Sequence, residues 1–474
     1  MSERTSDATH GERWRAGLRM ATPPDPAALE AEKAELTELD AQPFVPRTLA
    51  FLRRTGPGYL QSAMTLGGGT AATSLFAGAA FGYALLWVAP LAMLMGVVML
   101  AAVAHQTLST GLRPFEAMRR FAGAPFAWTW ALGALAASII WHFPQYSLAS
   151  AVLVDIGDVL GVGSIEPFHA SLFVLVWAIA LSSLYGRSPR TIKLYESALK
   201  FMVWSVVVCF ALVVWKTGIG DWGALFRGFF AFEIPGERNG VAGVTTVLSG
   251  LSAAVGINML FLYPYSLLAK GWGREHRRLA RFDLVTGMFL PYVLATTLMV
   301  IAMANTVYLE PDFAGQQLSA GEAASVLASL FGDTWGRIVF NLGVLAMALS
   351  TITLHMLCAG FIGVELFDLE VGSWKHRLFT LLPAPGVLGP LVWGQVAVWI
   401  AVPTNIVCGF FLPLAYLGFL KMQRSDAYLG DDRPRGGGAT AWFGAMVAIT
   451  VFLAAFLGWY AVTKGPGYYD KLFG

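Results

Sequence analysis

Three consecutive glycines, Gly67, Gly68 and Gly69, interrupt an apolar run that extends from Gly56 to Val88. Glycine costs about 1 kcal/mol against alanine in a helix interior. Three together predict a place where a membrane helix unwinds or another backbone comes close. Thr65 and Thr70 flank them and offer hydroxyls at the same depth. A second apolar run, AAVGINMLFLYPYSLLAKGW, is interrupted by Gly256 and Pro264 and brings Asn258, Tyr263 and Tyr265. Hydroxyls, an amide and freed backbone carbonyls are neutral donors, able to replace part of an ion's hydration shell as a potassium filter does. Charge then limits the cargo. The idealised Born cost of burying a monovalent ion is of order 20 kcal/mol, and roughly four times that for a divalent one. A bare divalent ion without a carboxylate is disfavoured. Three cargoes remain: a hydrated divalent ion such as Mg²⁺, which dehydrates reluctantly, a monovalent ion, or a small organic or zwitterionic solute.

Ionisable residues at membrane depth are the other chemical candidates. His142 and His355 lie in two further apolar runs and could relay protons, since histidine titrates near neutrality; a neutral packing role is the alternative. Asp155 and Glu365 fall at the ends of the same runs and read as solvated or gating groups. Cys209, Cys358 and Cys408 sit in apolar runs without metal-site spacing, which reads as packing. No nucleophile–base constellation, phosphate loop or zinc pattern is present, so neither an enzyme nor a cofactor is expected.

Membrane helices must hold these groups in place. The chain is 56% hydrophobic and 13% charged, where a soluble domain is nearer 25% charged. Apolar segments at 56–80, 83–108, 126–153, 167–185, 194–215, 243–269, 284–305, 336–364, 378–401, 404–421 and 440–462 predict an all-α polytopic membrane protein with eleven transmembrane helices. Residues 1–46 read as a cytosolic, mostly disordered tail with a short helix from Pro26 to about Leu39, capped by Asp25; residues 47–474 form the transmembrane domain. Arg113, Arg119, Arg187, Lys193, Lys270, Arg274 and Lys421 fall in alternate loops, and Asp155, Asp158, Glu166 and Glu310 in the others. That asymmetry places the N-terminus in the cytoplasm and the C-terminus outside, in a bacterial-type plasma membrane. Interruptions in the first and sixth segments, five spans apart, predict a LeuT-like inverted 5+5 repeat: about 56–215, about 243–421, and an extra helix at about 440–462.

The stretch from Gly56 to Val88 resembles the first helix of the Nramp divalent-metal transporters, whose signature there is Asp-Pro-Gly-Asn. Aligned on the flanking motifs, that signature falls on Gly67, Gly68, Gly69 and Thr70, so the break is kept and the carboxylate is gone. The stretch from Ala348 to Phe367 is similar to the eighth Nramp helix, with its Ser-Thr-Ile-Thr segment at Ser350 to Thr353. The resemblance implies gating roles for Thr351 and Thr353, and for Glu196, which stands where the family has an acid. Anchored on Gly256, the family's Met-Pro-His falls on Leu260, Phe261 and Leu262, which implies a leucine in place of the thioether and a carbonyl donor at Ile257. Gln145 and Leu148 stand where the family places acids of its proton route.

The resulting expectation is a secondary transporter moving a small cation by alternating access: a divalent metal by family resemblance, with hydrated Mg²⁺ a candidate. The alternatives are a transporter of a non-metal solute or monovalent ion, and a non-transporting sensor or scaffold. Candidate substrate contacts are Gly67, Gly68, Gly69, Thr70, Thr65, Ile257, Asn258, Leu260 and Tyr263, with Gln145 as a further gating candidate. The expected partners are the small ion or solute and the lipid bilayer, with no nucleic acid; a monomer satisfies the sequence.

Overall fold

A computed structural model describes residues 17–39, 42–310, 313–318, 323–324, 332–393 and 398–473. Its regular structure is helical apart from a two-residue antiparallel pair, Glu237–Arg238 with Val241–Ala242. Among the described residues, eight helical stretches are long and apolar enough to cross a bilayer: Val88–Thr110, Ala124–Leu160, Pro189–Thr217, Gly243–Ala269 (counted across its break), Arg274–Leu309, Thr334–Phe367, Ala401–Gln423 and Gly437–Lys464. Three of the eleven expected spans take other forms. The first is two helices, Pro57–Thr65 and Gly68–Phe81. The fourth is the 16-residue helix Pro167–Ser182. The ninth comprises Trp374–Thr380, a 3-10 turn Ala384–Leu388 and Gly389–Trp393; its residues 394–397 lie outside the described residues.

The first span stops at Thr65, Gly67 is extended at φ −102°, and helix resumes at Gly68. The sixth span breaks likewise. Gly243–Ala253 ends, Gly256 is extended at φ −81°, and Ile257–Ala269 continues, with Pro264 inside that second half. Unwinding therefore occurs at Leu66–Gly67 and Ala254–Gly256, slightly before the expected Gly67–Thr70 and Gly256–Leu260, so Thr70 and Leu260 are helical. No left-handed backbone explains the glycines. A Cβ on Gly67 would fall within 3.0 Å of Thr351, on Gly68 at 2.7 Å from Gln145 Oε1, and on Gly69 within 3.0 Å of Trp141 and Asn405. The third, eighth and tenth spans thus press side chains onto the backbone of the first.

The third and eighth spans, 37 and 35 residues long, lie against each other, and the eighth is anchored by ion pairs near both of its ends. At one end Asp155 accepts hydrogen bonds from Arg337 and Asn341. At the other end of the eighth span, Arg113, in the connection between the second and third spans, pairs with Glu365 at 3.1 Å and Asp368 at 2.6 Å. Asp155 and Glu365 are therefore buried partners and not solvated ends, because both helices run past the apolar segments that define them in sequence.

The tail also departs from expectation. Helix Pro26–Leu39 forms, with Asp25 accepting from the Ala27 N–H at 3.0 Å. It buries Leu36 and Leu39. Ahead of it, Ala21 N–H donates to the Val371 carbonyl and Val371 N–H to that of Arg19, both at 2.9 Å. Arg19 also pairs with Asp368 and Glu370. Residues 17–39 are thus docked on the end of the molecule that carries Arg113, Lys193 and Lys270, here called the basic end. Apolar positions spaced through an Ala- and Glu-rich helix supply that contact; residues 1–16 lie outside the described residues.

Candidate cation site at the paired helix breaks

The two breaks touch. Thr65 Oγ1 lies 3.2 Å from the Ala254 carbonyl oxygen and 3.2 Å from Met259 Sδ. Thr70 Oγ1 donates to the Thr65 carbonyl at 2.5 Å, occupying an acceptor freed where the first half-helix ends. Across the break, the freed Gly68 N–H donates to Gln145 Oε1 at 2.9 Å. Asn258 Oδ1 accepts from the Met259 N–H at 3.0 Å. Half-helices end here at Thr65 and Ala253, and their carbonyl ends carry partial negative charge.

A cavity of about 30 Å³ lies between these groups. A water needs roughly 10–15 Å³ of such space, so the cavity takes a water or two, or one bare ion. Thr65, Gly67, Gly69 and Thr70 line it from the first span, and Asn258 and Met259 from the sixth. Trp141 and Gln145 of the third, Thr351 and His355 of the eighth, and Asn405 and Cys408 of the tenth complete the wall. Among the described residues no three His, Cys, Asp or Glu side chains converge. The donors are hydroxyls, amides, carbonyls, an imidazole, the Cys408 thiol and the thioethers of Met64 and Met259.

Of the residues singled out in sequence, Gly67, Gly69, Thr65, Thr70, Asn258, Gln145, Thr351 and His355 meet at this cavity, with the Gly68 backbone beside it. Ile257, Leu260 and Tyr263 are buried but do not line it. Successive helical residues turn by about 100°. Met259 therefore faces the cavity where Leu260 turns away, so a thioether lines the space from the position before Leu260. Ile257 instead packs towards Gly133 of the third span. Thr353 lies outside the cavity, where it accepts from the Tyr195 hydroxyl at 3.0 Å and donates to the Ser350 carbonyl at 2.9 Å. Glu196 is at the basic end, paired with Lys270 at 3.0 Å. His142 packs behind His355, ring centroids 5.5 Å apart, with Nε2 3.1 Å from the Ile352 carbonyl oxygen.

Sequence reasoning missed Met259, Asn405 and Asp283. Asn405 Nδ2 reaches the Gly69 carbonyl at 3.2 Å and Ser249 Oγ at 2.9 Å, tying the tenth span to both broken helices. Its signal was an amide two residues after Pro403 in an apolar run. Asp283 is fully buried and accepts from Gly58 N–H at 2.7 Å and Gly56 N–H at 3.2 Å. It caps the N-terminus of Pro57–Thr65, where a carboxylate complements the helix dipole. It lies one residue before the expected seventh span, but the helix there begins at the basic end and runs through it.

Two discontinuous helices five spans apart, meeting at a site walled by the third, eighth and tenth spans, define a LeuT-like transporter fold in an integral membrane protein. The profile described as "Natural resistance-associated macrophage protein-like", Nramp, matches residues 58–460. The chain belongs to the Nramp family. A relative named divalent metal cation transporter MntH, from Agrobacterium fabrum, is 27% identical over 428 residues, spanning 86% of this chain and 87% of that protein. Metal transporter Nramp6.2 of Populus trichocarpa is 25% identical over 397 residues, spanning 80% and 69%. A crystal structure of a mutant manganese transporter from Eremococcus coleocola superposes with a TM-score of 0.70 at 16% identity, over 87% of each chain. MhsT in complex with L-phenylalanine gives 0.55 at 14% identity, over 85% and 98%.

Proposed function

We propose that this chain is a secondary transporter that carries a small divalent metal cation by alternating access through the cavity at the paired breaks. The observation that carries the reading is the junction of Thr65, Ala254 and Met259, where both interrupted helices present donors to one space. Hydroxyl, amide and carbonyl oxygens suit a hard ion. Met259 adds a donor that favours softer ones. Without a carboxylate the site offsets little of a double charge, so affinity is low, and an ion that keeps part of its water enters only when the spans move apart and enlarge the space. A volume of about 30 Å³ favours an ion over an organic solute. His355, at the cavity, and His142 behind it form the proton-relay candidate.

Entry requires the spans to move. Asp283 holds the first half-helix at the basic end, and a Cβ on Gly56 would fall within 3.0 Å of both Glu196 and Lys270, so that end is tightly packed. Between it and the cavity, Gln61 and Ser62 are buried on the same half-helix with no side-chain hydrogen-bond partner among the described residues. Such groups are stabilised when water enters. The basic end faces the cytoplasm by the charge rule, which places the N-terminus inside. The test is uptake of Mg²⁺, Mn²⁺ and Ca²⁺ into proteoliposomes. Saturable divalent uptake that Met259→Ala and Asn405→Ala reduce is expected. Uptake of none of the three, or uptake indifferent to both substitutions, would refute the reading.

A further inference from the structure

A second cavity, of about 270 Å³, opens at the basic end between the tail, helix Phe44–Arg54 and the ends of the fifth and sixth spans. Five cations, Arg53, Arg54, Lys193, Lys200 and Lys270, line it against the carboxylates Glu32 and Glu196. Arg54 is neutralised by Glu35 and Glu32, and Lys270 by Glu196. The other three are not. Lys200 donates to the Thr55 carbonyl at 2.6 Å and sits over the Tyr59 ring, both neutral partners. Arg53 and Lys193 have no ion-pair partner among the described residues. Arg53 and Lys193 are thus uncompensated, and with Lys200, which also feels the carboxylates of Asp283 and Glu196, they repel one another around one cavity unless an anion joins them.

The surroundings say what kind of anion. Helix Phe44–Arg54 turns Val45, Leu49 and Leu52 outward, 63%, 55% and 42% exposed, on a single stripe at i, i+4 and i+7. Beside Lys193 and Lys200 in the chain, Leu194 and Phe201 are exposed in the same way. An amphipathic helix with an outward apolar stripe and arginines at its end lies in a membrane interface. The cations therefore stand where acyl chains give way to headgroups, and basic pockets between membrane helices take anionic headgroups.

We propose that this cavity binds the headgroup phosphate of an anionic phospholipid, held by Arg53, Lys193 and Lys200, with its acyl chains against Leu49, Leu52 and Leu194. The phosphate bridges the helix leading into the first span and the fifth span. It therefore fastens the end that Asp283 and the Glu196–Lys270 pair also close, whichever ion is carried.

The test uses the full chain in a neutral detergent, titrated separately with dioctanoyl phosphatidylglycerol, dioctanoyl phosphatidylcholine and free glycerol phosphate while the melting temperature is followed. Phosphatidylglycerol should raise it saturably, and the other two should not. Arg53→Gln with Lys193→Gln should raise the midpoint concentration about tenfold or more. Arg53→Lys with Lys193→Arg should leave it near the wild-type value. Both side chains are exposed, so these variants fold. Equal shifts from phosphatidylglycerol and phosphatidylcholine, or a midpoint unchanged in the glutamine variant, would overturn the proposal. A matching saturable shift from glycerol phosphate would assign the cavity to a soluble anion and overturn the lipid.

Discussion

Gly67→Asp puts a carboxylate where the Nramp signature has one, and the packing around Gly67 sets its cost. The new Cβ would fall within 3.0 Å of three Thr351 atoms. Thr351 cannot simply swing away. Its Oγ1 lies 3.0 Å from the Met347 carbonyl oxygen and 3.2 and 3.3 Å from those of Ala63 and Met64, and a β-branched side chain in a helix has few rotamers. Overpacking costs about 1–3 kcal/mol. A lone buried carboxylate adds several kcal/mol until it is paired. Gly67→Asp alone should therefore melt well below wild type and bind little metal. Gly67→Asp with Thr351→Ala removes the colliding Oγ1 and Cγ2 and should recover part of that loss. Met259 already supplies the thioether, so Leu260→Met should add nothing. At Mn²⁺ concentrations 100-fold above Kd, binding stabilises by about 2.7 kcal/mol, which thermal unfolding with and without Mn²⁺ detects in the double variant. If Gly67→Asp alone is as stable as wild type and binds Mn²⁺ without help from Thr351→Ala, the packing argument is wrong.

Further consequences are open to measurement. Met259→Leu should lower Mn²⁺ uptake more than Mg²⁺ uptake in the same proteoliposomes, because it removes the soft donor and keeps the volume; equal loss of both would assign Met259 to packing alone. His355→Gln should reduce substrate-dependent acidification of liposomes loaded with a pH dye more than His142→Gln does, since only His355 reaches the cavity; acidification that survives both exchanges would exclude this relay. Asp283→Ala removes two charge-assisted hydrogen bonds to the first half-helix and should cost about 2–3 kcal/mol of stability. It should also speed cysteine labelling at the basic end of the first span, and unchanged labelling would mean that Asp283 does not hold that end closed.

The architecture was legible where backbone chemistry writes itself into the sequence. Three glycines in an apolar run and Gly256 five spans later located both breaks to within a residue or two. The glycines also marked close packing, but not by what, since Thr351, Gln145, Trp141 and Asn405 arrive from elements distant in sequence. Met259 was hidden by register. It stands one residue before the position that the motif singled out, and one residue along a helix turns a side chain by about 100°, enough to exchange a packing residue for one at the cavity. Asp283 was hidden because hydropathy starts a span where charge ends, whereas the helix ignores that boundary when a buried carboxylate finds N–H donors. The docked tail was hidden by composition: Leu36 and Leu39 are the buried residues of an otherwise Ala- and Glu-rich helix, and the Arg19 and Ala21 contacts with Asp368 and Val371 leave no apolar pattern.

Anomalous diffraction from crystals soaked in Mn²⁺ and recorded at the manganese edge tests the cation site most directly. A peak between Thr65, Met259 and Gln145, weakened in Met259→Ala crystals, is the predicted result. Manganese density elsewhere in the molecule with none at the paired breaks, at a concentration that saturates uptake, would contradict it.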